Sequence, residues 1–310
     1  MIYTLTLNPA IDKSSSVEKV VPTKKLRCQT RVFEAGGGGI NVSKALAELE
    51  THSKCIYLKG GRTGHHLAEL LSHQSIDQVV LEIKDFTREN FIVTDTSTQK
   101  QYRFGMPGPS VTPEEKDHII RFLATHLKKG DYLVASGSLP PGLPSAFYAQ
   151  IASLTKEKEV KLILDTSGTP LLEAAQRGVY LLKPNLSELC FLAARKSLTT
   201  REVEEAASEV IEKGFCEVLI VSLGARGALL VTADQLEYVS SPTVYQKSAV
   251  GAGDSMVAGI VRGLIGGMPL LDVTKYGVAC GTAATMTEGT QLCRKKDVDQ
   301  LYRWLCRDGM

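Results

Sequence analysis

Net charge is almost absent from this chain: 36 Lys and Arg stand against 34 Asp and Glu in 310 residues. With no global field there is no general pull toward nucleic acid or an anionic membrane, so any bound anion must be held by a local cluster. No apolar run reaches membrane-spanning length; the most apolar segment, MVAGIVRGLI, is interrupted by Arg262. MIYTLTLNPAID carries neither a basic region nor a small-residue cleavage site and reads as a strand, so no signal peptide is expected. The seven cysteines are odd in number and form no CxxC pair, which suits reduced packing thiols in a cytoplasmic protein. Cys190, two residues after Glu188, is left open between a reactive and a buried thiol. The six histidines show no HxxxH or HExxH spacing, which argues against zinc. GxxxxGK followed by Ser or Thr occurs nowhere, so the Walker cradle is missing. TLTLNPAID lacks the glycines that a dinucleotide-binding oxidoreductase needs after its first strand.

What is present is the composition of a globular protein, 43% hydrophobic and 23% charged, at a length that suits one large α/β unit. Short buried-strand candidates recur: KCIYLK (54–59), DYLVAS (131–136), VKLILD (160–165), VYLLK (179–183) and EVLIVSLG (217–224). Helical patterns separate them. One starts from about His65. In another, Ile119, Ile120, Leu123 and Leu127 share a face that Gly130 is expected to end. A third carries Val203, Ala206, Val210 and Ile211 on one stripe. This rhythm predicts a doubly wound, mostly parallel sheet with helices on both faces, and ligands beyond the carboxyl ends of its strands. Residues 13–34 and 90–105 break the rhythm with two-sided alternation and no intervening helix. They are expected to form a small antiparallel sheet outside the main one, as a flap over a site, a dimerisation surface, or both.

Five motifs carry candidate chemistry. GGGGIN (36–41) opens a helix and lets backbone approach a ligand, with Asn41 free to offer its amide; the bland alternative is a flexible turn. Arg88 and Arg103, with Lys25 and Arg27, put cations on or beside the flap, as a sugar phosphate would need, although each alone reads as a surface charge. KPNLSEL (183–189) spaces Asn185 and Glu188 as a capping box, and spacing alone favours that cap over a Mg²⁺ role for Glu188. SLGARG (222–227) suits a nucleotide pocket or an ordinary turn. In SAVGAGDSMVAG (248–259), Gly251 and Gly253 can form an anion-binding nest at a helix start. Asp254 beside them is either the helix N-cap or a base for an attacking hydroxyl. Two glycines flanking Ala252, and a helix too apolar for the surface, favour the base.

Taken in order, TLTLNPAID, GGGGIN, GSLPPG, KPNLSE, SLGARG and VGAGDSMVAG resemble the ribokinase-like sugar kinases of the PfkB family over nearly the whole chain. The resemblance implies one ribokinase-like kinase unit over 1–310, with lid strands from about 13–34 and 90–105 inserted in it. It implies Asp254 as general base and Gly251, Ala252 and Gly253 as anion hole. Asp12, Gly37, Gly38 and Asn41 would hold sugar hydroxyls, and Arg88, Arg103 and Ser138 would meet the sugar phosphate or its surroundings. Lys183 and Asn185 would serve the ATP phosphates, Glu188 would serve Mg²⁺ through water, and Ser222 through Gly227, with Gly224, would border the nucleotide. Cap and metal roles can coexist at Glu188. Within the family, KLRC, VFEAGGGGINVSKA, QYRFGMPG and GTQLC resemble the bacterial minor 6-phosphofructokinase subgroup. The 1-phosphofructokinases and tagatose-6-phosphate kinases typically read GGKG where this chain has Gly36 to Gly39. The expected reaction is ATP-dependent phosphorylation of fructose 6-phosphate at its 1-hydroxyl. The alternatives are the other two kinase activities or a non-catalytic sugar-phosphate sensor. The expected partners are a sugar phosphate and ATP, with no nucleic acid or membrane, and a second copy of the chain through the lid. A monovalent cation near the anion hole is left open.

Overall fold

Strands that are apolar at every position need cover on both faces, and the helices of this chain supply it. The computed structural model describes residues 1–307. From β1 (Ile2–Thr6) the chain passes to β2 (Ala10–Val17) and β3 (Val32–Gly36), then α1 (Gly38–Glu48), β4 (Lys54–Gly60), α2 (Gly61–Ser72) and β5 (Asp77–Ile83). A second excursion, β6 (Arg88–Asp95) and β7 (Lys100–Phe104), precedes α3 (Pro113–His126), β8 (Tyr132–Ser136), α4 (Phe147–Glu157), β9 (Lys161–Asp165), α5 (Gly168–Ala175) and β10 (Val179–Leu182). Then come α6 (Leu186–Leu192), α7 (Thr200–Glu212), β11 (Cys216–Ser222), the hairpin of β12 (Ala228–Val231) and β13 (Leu236–Val239), α8 (Ala252–Ile265), α9 (Leu270–Thr285) and α10 (Lys295–Arg307).

The main sheet has nine strands in the order β13-β12-β11-β10-β9-β8-β1-β4-β5, parallel except for the β12–β13 hairpin. Alternation along each strand divides its side chains between two cores. Leu162, Leu164, Leu219 and Val221 meet α3 to α7, while Ile163, Val218 and Ile220 meet α1, α8, α9 and α10. Helix α8 is buried from Ser255 to Val261, which explains its apolar body. A Cβ on Gly259 would lie 2.6 Å from Cys280 Sγ, so that glycine lets α8 and α9 pack closely. The chain leaves β1 toward β4 and β5 and returns on the other side at β8, and this reversal opens a crevice at the strands' carboxyl ends.

The second sheet, in the order β3-β2-β6-β7, is the separate small one expected as a lid. Its outer pairs are antiparallel, and its central pair, β2 with β6, is parallel. The cause is topological: β2 continues from β1 and β6 from β5, and those two strands run the same way in the main sheet. Two helix boundaries differ from the expected ones. Helix α2 begins at Gly61, four residues before His65, because Gly60 is already its N-cap. Helix α3 stops at His126, with Leu127 extended as C-cap, and Gly130 with φ +83° belongs to the following turn.

Candidate active site

The start of α8 bears directly on the cap reading of Asp254. Its N-cap is Gly251, in the left-handed region at φ 76°, and the first helical bond runs from Ser255 N to Gly251 O at 2.9 Å. Ala252, Gly253 and Asp254 are the first three helical residues, so their N–H groups precede the hydrogen-bond ladder. The Asp254 side chain makes no capping bond. The N-cap reading of Asp254 is therefore wrong, and the nest geometry expected of Gly251 to Gly253 is available. Instead, Asp254 Oδ2 accepts a hydrogen bond from Asn41 Nδ2 at 2.8 Å. Asn41 stands in the first turn of α1, so the amide expected at the sugar reaches the carboxylate of the candidate base.

Burial and the nearby Asp165 raise the Asp254 pKa to about 7, against the opposing pull of Asn41, Lys183 and Lys44. Lys183 follows β10 and is 5% exposed; its Nζ is 3.2 Å from Asp165 Oδ1 at the end of the neighbouring strand β9. Burial alone would pull the Lys183 pKa down, but Asp165, Glu188 and Asp254 outweigh it and the net shift is upward. A Cβ on Gly253 would lie 3.7 Å from Lys183 Nζ, which places the ammonium beside the helix start.

Asn185 and Glu188 form the expected capping box: Asn185 Oδ1 accepts from Glu188 N at 3.0 Å, and Glu188 Oε2 accepts from Asn185 N at 2.9 Å. Burial and the charge of Asp165 both push the Glu188 pKa up, with the cap bond and Lys183 opposing. Two carboxylates, Asp165 and Glu188, crowded in this way beside Lys183 fit Mg²⁺, which takes few protein oxygens and keeps its waters. Among the described residues no cluster of three or more His, Cys, Asp or Glu forms a closed metal cage. A cavity of about 440 Å³ lies against this corner. Asn185, Ser222, Gly224 and Gly227 line it together with Ala252 and Gly253, so these expected nucleotide residues share one space that reaches the start of α8, while Lys183 is outside its lining. Met256, Gly281 and Thr282 also line it and were not anticipated, since they sit inside helices that read only as core.

On the lid side the glycine loop is pinned rather than flexible. Gly37 is the N-cap of α1 at φ 130°, and a Cβ on Gly38 would collide with Ser136 Oγ and lie 3.0 Å from Gly137 N. Asp12 on β2 accepts from Asn90 Nδ2 at 2.8 Å, and burial raises its pKa. Arg88, at the base of β6, donates to Asn8 O at 3.0 Å and to Met106 O at 3.3 Å. Asn8 Nδ2 in turn donates to Ser138 Oγ at 3.1 Å, so Asn8, absent from the expected set, joins Arg88 to Ser138. Arg88 Nε and Asn8 Oδ1 are buried without a partner, which leaves unspent hydrogen-bonding capacity at this corner. Arg103 is not part of it. It lies farther out on the edge strand β7, exposed, with Nη2 donating to Gln101 Oε1 at 3.3 Å, across a cleft from Lys247 and Ser248. Lys25 and Arg27 are exposed in the irregular segment between β2 and β3. Cys190 is half-buried on α6. Asp165 had no motif to announce it; its only signal was its place at the carboxyl end of a buried strand.

A doubly wound sheet with a carboxylate at a glycine-bounded helix start, a nucleotide-sized cavity on one side and a lid on the other defines a phosphotransferase of the sugar-kinase type. The family model for pfkB family carbohydrate kinases matches residues 2–297, and the chain belongs to that family of ATP-dependent sugar kinases. It is 39% identical over 307 residues to the ATP-dependent 6-phosphofructokinase isozyme 2 of Escherichia coli strain K12, covering 99% of each chain. The isozyme 2 of Mycobacterium tuberculosis is 41% identical over 301 residues, 97% of this chain and 88% of that one. The 1-phosphofructokinase of Bacillus subtilis is 32% identical over 302 residues, 97% of each. Solved structures of phosphofructokinase-2 from Escherichia coli superimpose closely. The potassium complex has a TM-score of 0.95 at 39% identity, the fructose-6-phosphate complex 0.93 at 38%, and a tetrameric inhibited form 0.94 at 38%, each covering 99% of both chains. No helix among the described residues is long and apolar enough to cross a membrane.

Proposed function

We propose that this chain transfers the γ-phosphoryl group of Mg·ATP to the 1-hydroxyl of fructose 6-phosphate, giving fructose 1,6-bisphosphate and ADP. The observation that carries the reading is the Asp254 carboxylate, fixed by Asn41 between the nucleotide cavity and the lid. In this reading Asp254 takes the proton of the 1-hydroxyl as that oxygen bonds to the γ-phosphorus and the bond to the bridging oxygen of ADP breaks. The N–H groups at Gly251 to Gly253 and the Lys183 ammonium meet the charge that develops on the equatorial oxygens. Asp12, Gly37 and Gly38 border the sugar, and Arg88 and Ser138 hold its phosphate, with Arg103 at the outer rim. Asn185 serves the phosphates, and Ser222, Gly224 and Gly227 border the rest of the nucleotide. Glu188 would hold Mg²⁺, whose charge would neutralise the phosphates.

Gly38 supports the choice of substrate. It occupies the third position of the loop, where a GGKG sequence carries lysine. Here any Cβ would strike Ser136, so the chain cannot take that lysine without shifting β8 or α1. The 1-phosphofructokinase and tagatose-6-phosphate kinase activities remain the second reading, favoured by relatives of those kinds at about one third identity. The potassium complex of the Escherichia coli protein supports a monovalent-cation site in this chain. On the lid, Phe91 and Phe104 are exposed and paired across strands with ring centroids 6.4 Å apart, and Tyr102 is exposed beside them. This row supports a homodimer formed lid to lid.

The test is ADP release from Mg·ATP with fructose 6-phosphate, fructose 1-phosphate and tagatose 6-phosphate, compared as kcat/KM. Fructose 6-phosphate should be preferred. Preference for either other sugar overturns the substrate, and absence of turnover with all three would leave a sensor.

A further inference from the structure

Lys44 is a lysine in the middle of the machinery that none of the roles above uses. It lies three residues after Asn41 on α1, on the same side of the helix. Its Nζ donates to Ala35 O of lid strand β3 at 3.2 Å. No carboxylate among the described residues lies within ion-pair distance of it, yet its ammonium faces Asp12 on β2, Glu34 on β3 and Asp254 on α8, with the Cys55 thiol behind it on β4. Burial pulls its pKa down and these carboxylates hold it up, with the net shift downward. Glu34 is tied separately to the core, since Thr290 Oγ1 donates to its carboxylate from the segment between α9 and α10. A cavity of about 470 Å³ opens behind Lys44, lined by Glu34, Glu48, Thr290 and Arg294 among others. Lys44 thus stands where two lid carboxylates and the candidate base converge, with Arg88 also facing Asp12.

We propose that Lys44 is a positioning residue for the transfer: its ammonium ties lid strand β3 to α1 and is, among the described residues, the one positive charge shared by Asp12 and Asp254, adding to Arg88 at the first and Lys183 at the second so that both stand as carboxylates on either side of the sugar. The inference rests on the reading of Asp254 as base. The groups facing Asp254 are Asp165 from β9, Lys183 after β10, and Asn41 and Lys44 from α1. Lys183 is committed at 3.2 Å to Asp165. Lys44 has no such partner, so its charge acts on the sugar side of the base. Without it, protonation of Asp254 becomes easier, and the fraction able to accept the hydroxyl proton falls at low pH and recovers at high pH.

The experiment compares wild type, Lys44→Gln and Lys44→Arg. Gln keeps a donor for Ala35 O without charge, and Arg keeps both donor and charge. The acid limb of kcat/KM against pH is recorded with whichever of the three sugar phosphates turns over fastest, so failure of the substrate assignment does not stop the test. The limb should move up by about one pH unit in Lys44→Gln, a roughly tenfold loss at pH 6 that largely disappears by pH 8.5, and stay in place in Lys44→Arg. A second readout needs no turnover: the rise in Tm caused by Asp254→Asn at pH 7.5 should be larger in the Lys44→Gln background than in wild type. A pH-independent loss, an unmoved limb, or equal Tm increments in the two backgrounds would overturn the proposal and leave Lys44 as a packing group.

Discussion

Replacing Asp254 by Asn removes one charge and little else. Asn41 Nδ2 can donate to the new amide oxygen as it does to Oδ2, and the helix keeps its cap because Gly251, not Asp254, provides it. The direction of the stability change follows from the raised pKa. An aspartate near 3.8 in the unfolded chain and about 7 in the fold disfavours folding whenever it is ionised. Stability is therefore lost as pH rises from about 4 to about 7, and the Asn variant escapes that loss. At 1.4 kcal/mol per pKa unit the ceiling is about 4 kcal/mol. Asp254 is partly open to solvent, and Asn gives up a favourable acidic group in the first helical turn, so about 1–2 kcal/mol is the realistic gain. For a chain of this size that raises Tm by about 1.5–3 °C at pH 7.5. The increment should shrink as pH falls toward 4. Turnover should drop by about 10²-fold or more, since a general base contributes on that scale. The assays are thermal unfolding at several pH values and steady-state ADP release. A variant that melts several degrees lower, or keeps kcat within tenfold of wild type, would refute the assignment of Asp254 as a charge held for catalysis.

Two further outcomes follow from the same geometry. Glu188→Gln should fold normally, because Gln closes a capping box as Glu does, while the Mg²⁺ concentration for half-maximal rate rises about tenfold or more. An unchanged Mg²⁺ dependence would reduce Glu188 to its cap. Phe91→Asp places a charge in the exposed aromatic row of the lid and should shift the protein toward monomer in sedimentation velocity, without loss of helical circular dichroism. An unchanged sedimentation coefficient, or a wild type that is already monomeric, would remove the lid from consideration as the dimer surface.

The main sheet was readable because its strands are apolar at successive positions and its helices carry one-sided stripes; VKLILD and EVLIVSLG can hardly be anything but strands covered on both faces. The lid segments were readable as strands but not in their directions. Alternation says which residues share a face, whereas the parallel pairing of β2 with β6 depends on where β1 and β5 stop. Asp165 and Lys183 were not legible as a pair because 17 residues separate them in sequence, and only the adjacency of β9 and β10 brings them together. Lys44 was invisible for a related reason. In VSKALAELE it looks like the solvated side of a surface helix, and its partial burial comes from β3 folding over it. At Glu188 the spacing and the resemblance point to different roles, and the capping box is present without excluding the metal role.

In the proposed mechanism Asp254 is the base, and the contact nearest it is neutral. A cation at hydrogen-bond distance would hold the carboxylate so strongly that its pKa fell below the usual range and its proton affinity became too low to help a hydroxyl leave its proton. An amide at 2.8 Å orients the group with a far smaller effect on its charge. It also leaves Oδ1 without a protein donor among the described residues, available to a substrate hydroxyl. The cations stand one layer back, Lys183 on the nucleotide side and Lys44 on the lid side, while Asp165 pushes the other way. The neutral contact fixes where the lone pair points, while burial, with Asp165, raises the proton affinity that Asn41, Lys183 and Lys44 draw back. That balance places the pKa at about 7, where a base is half ionised at neutral pH and still basic enough to act. It also explains why Asn41, rather than a lysine or arginine, occupies the position facing Asp254 from α1.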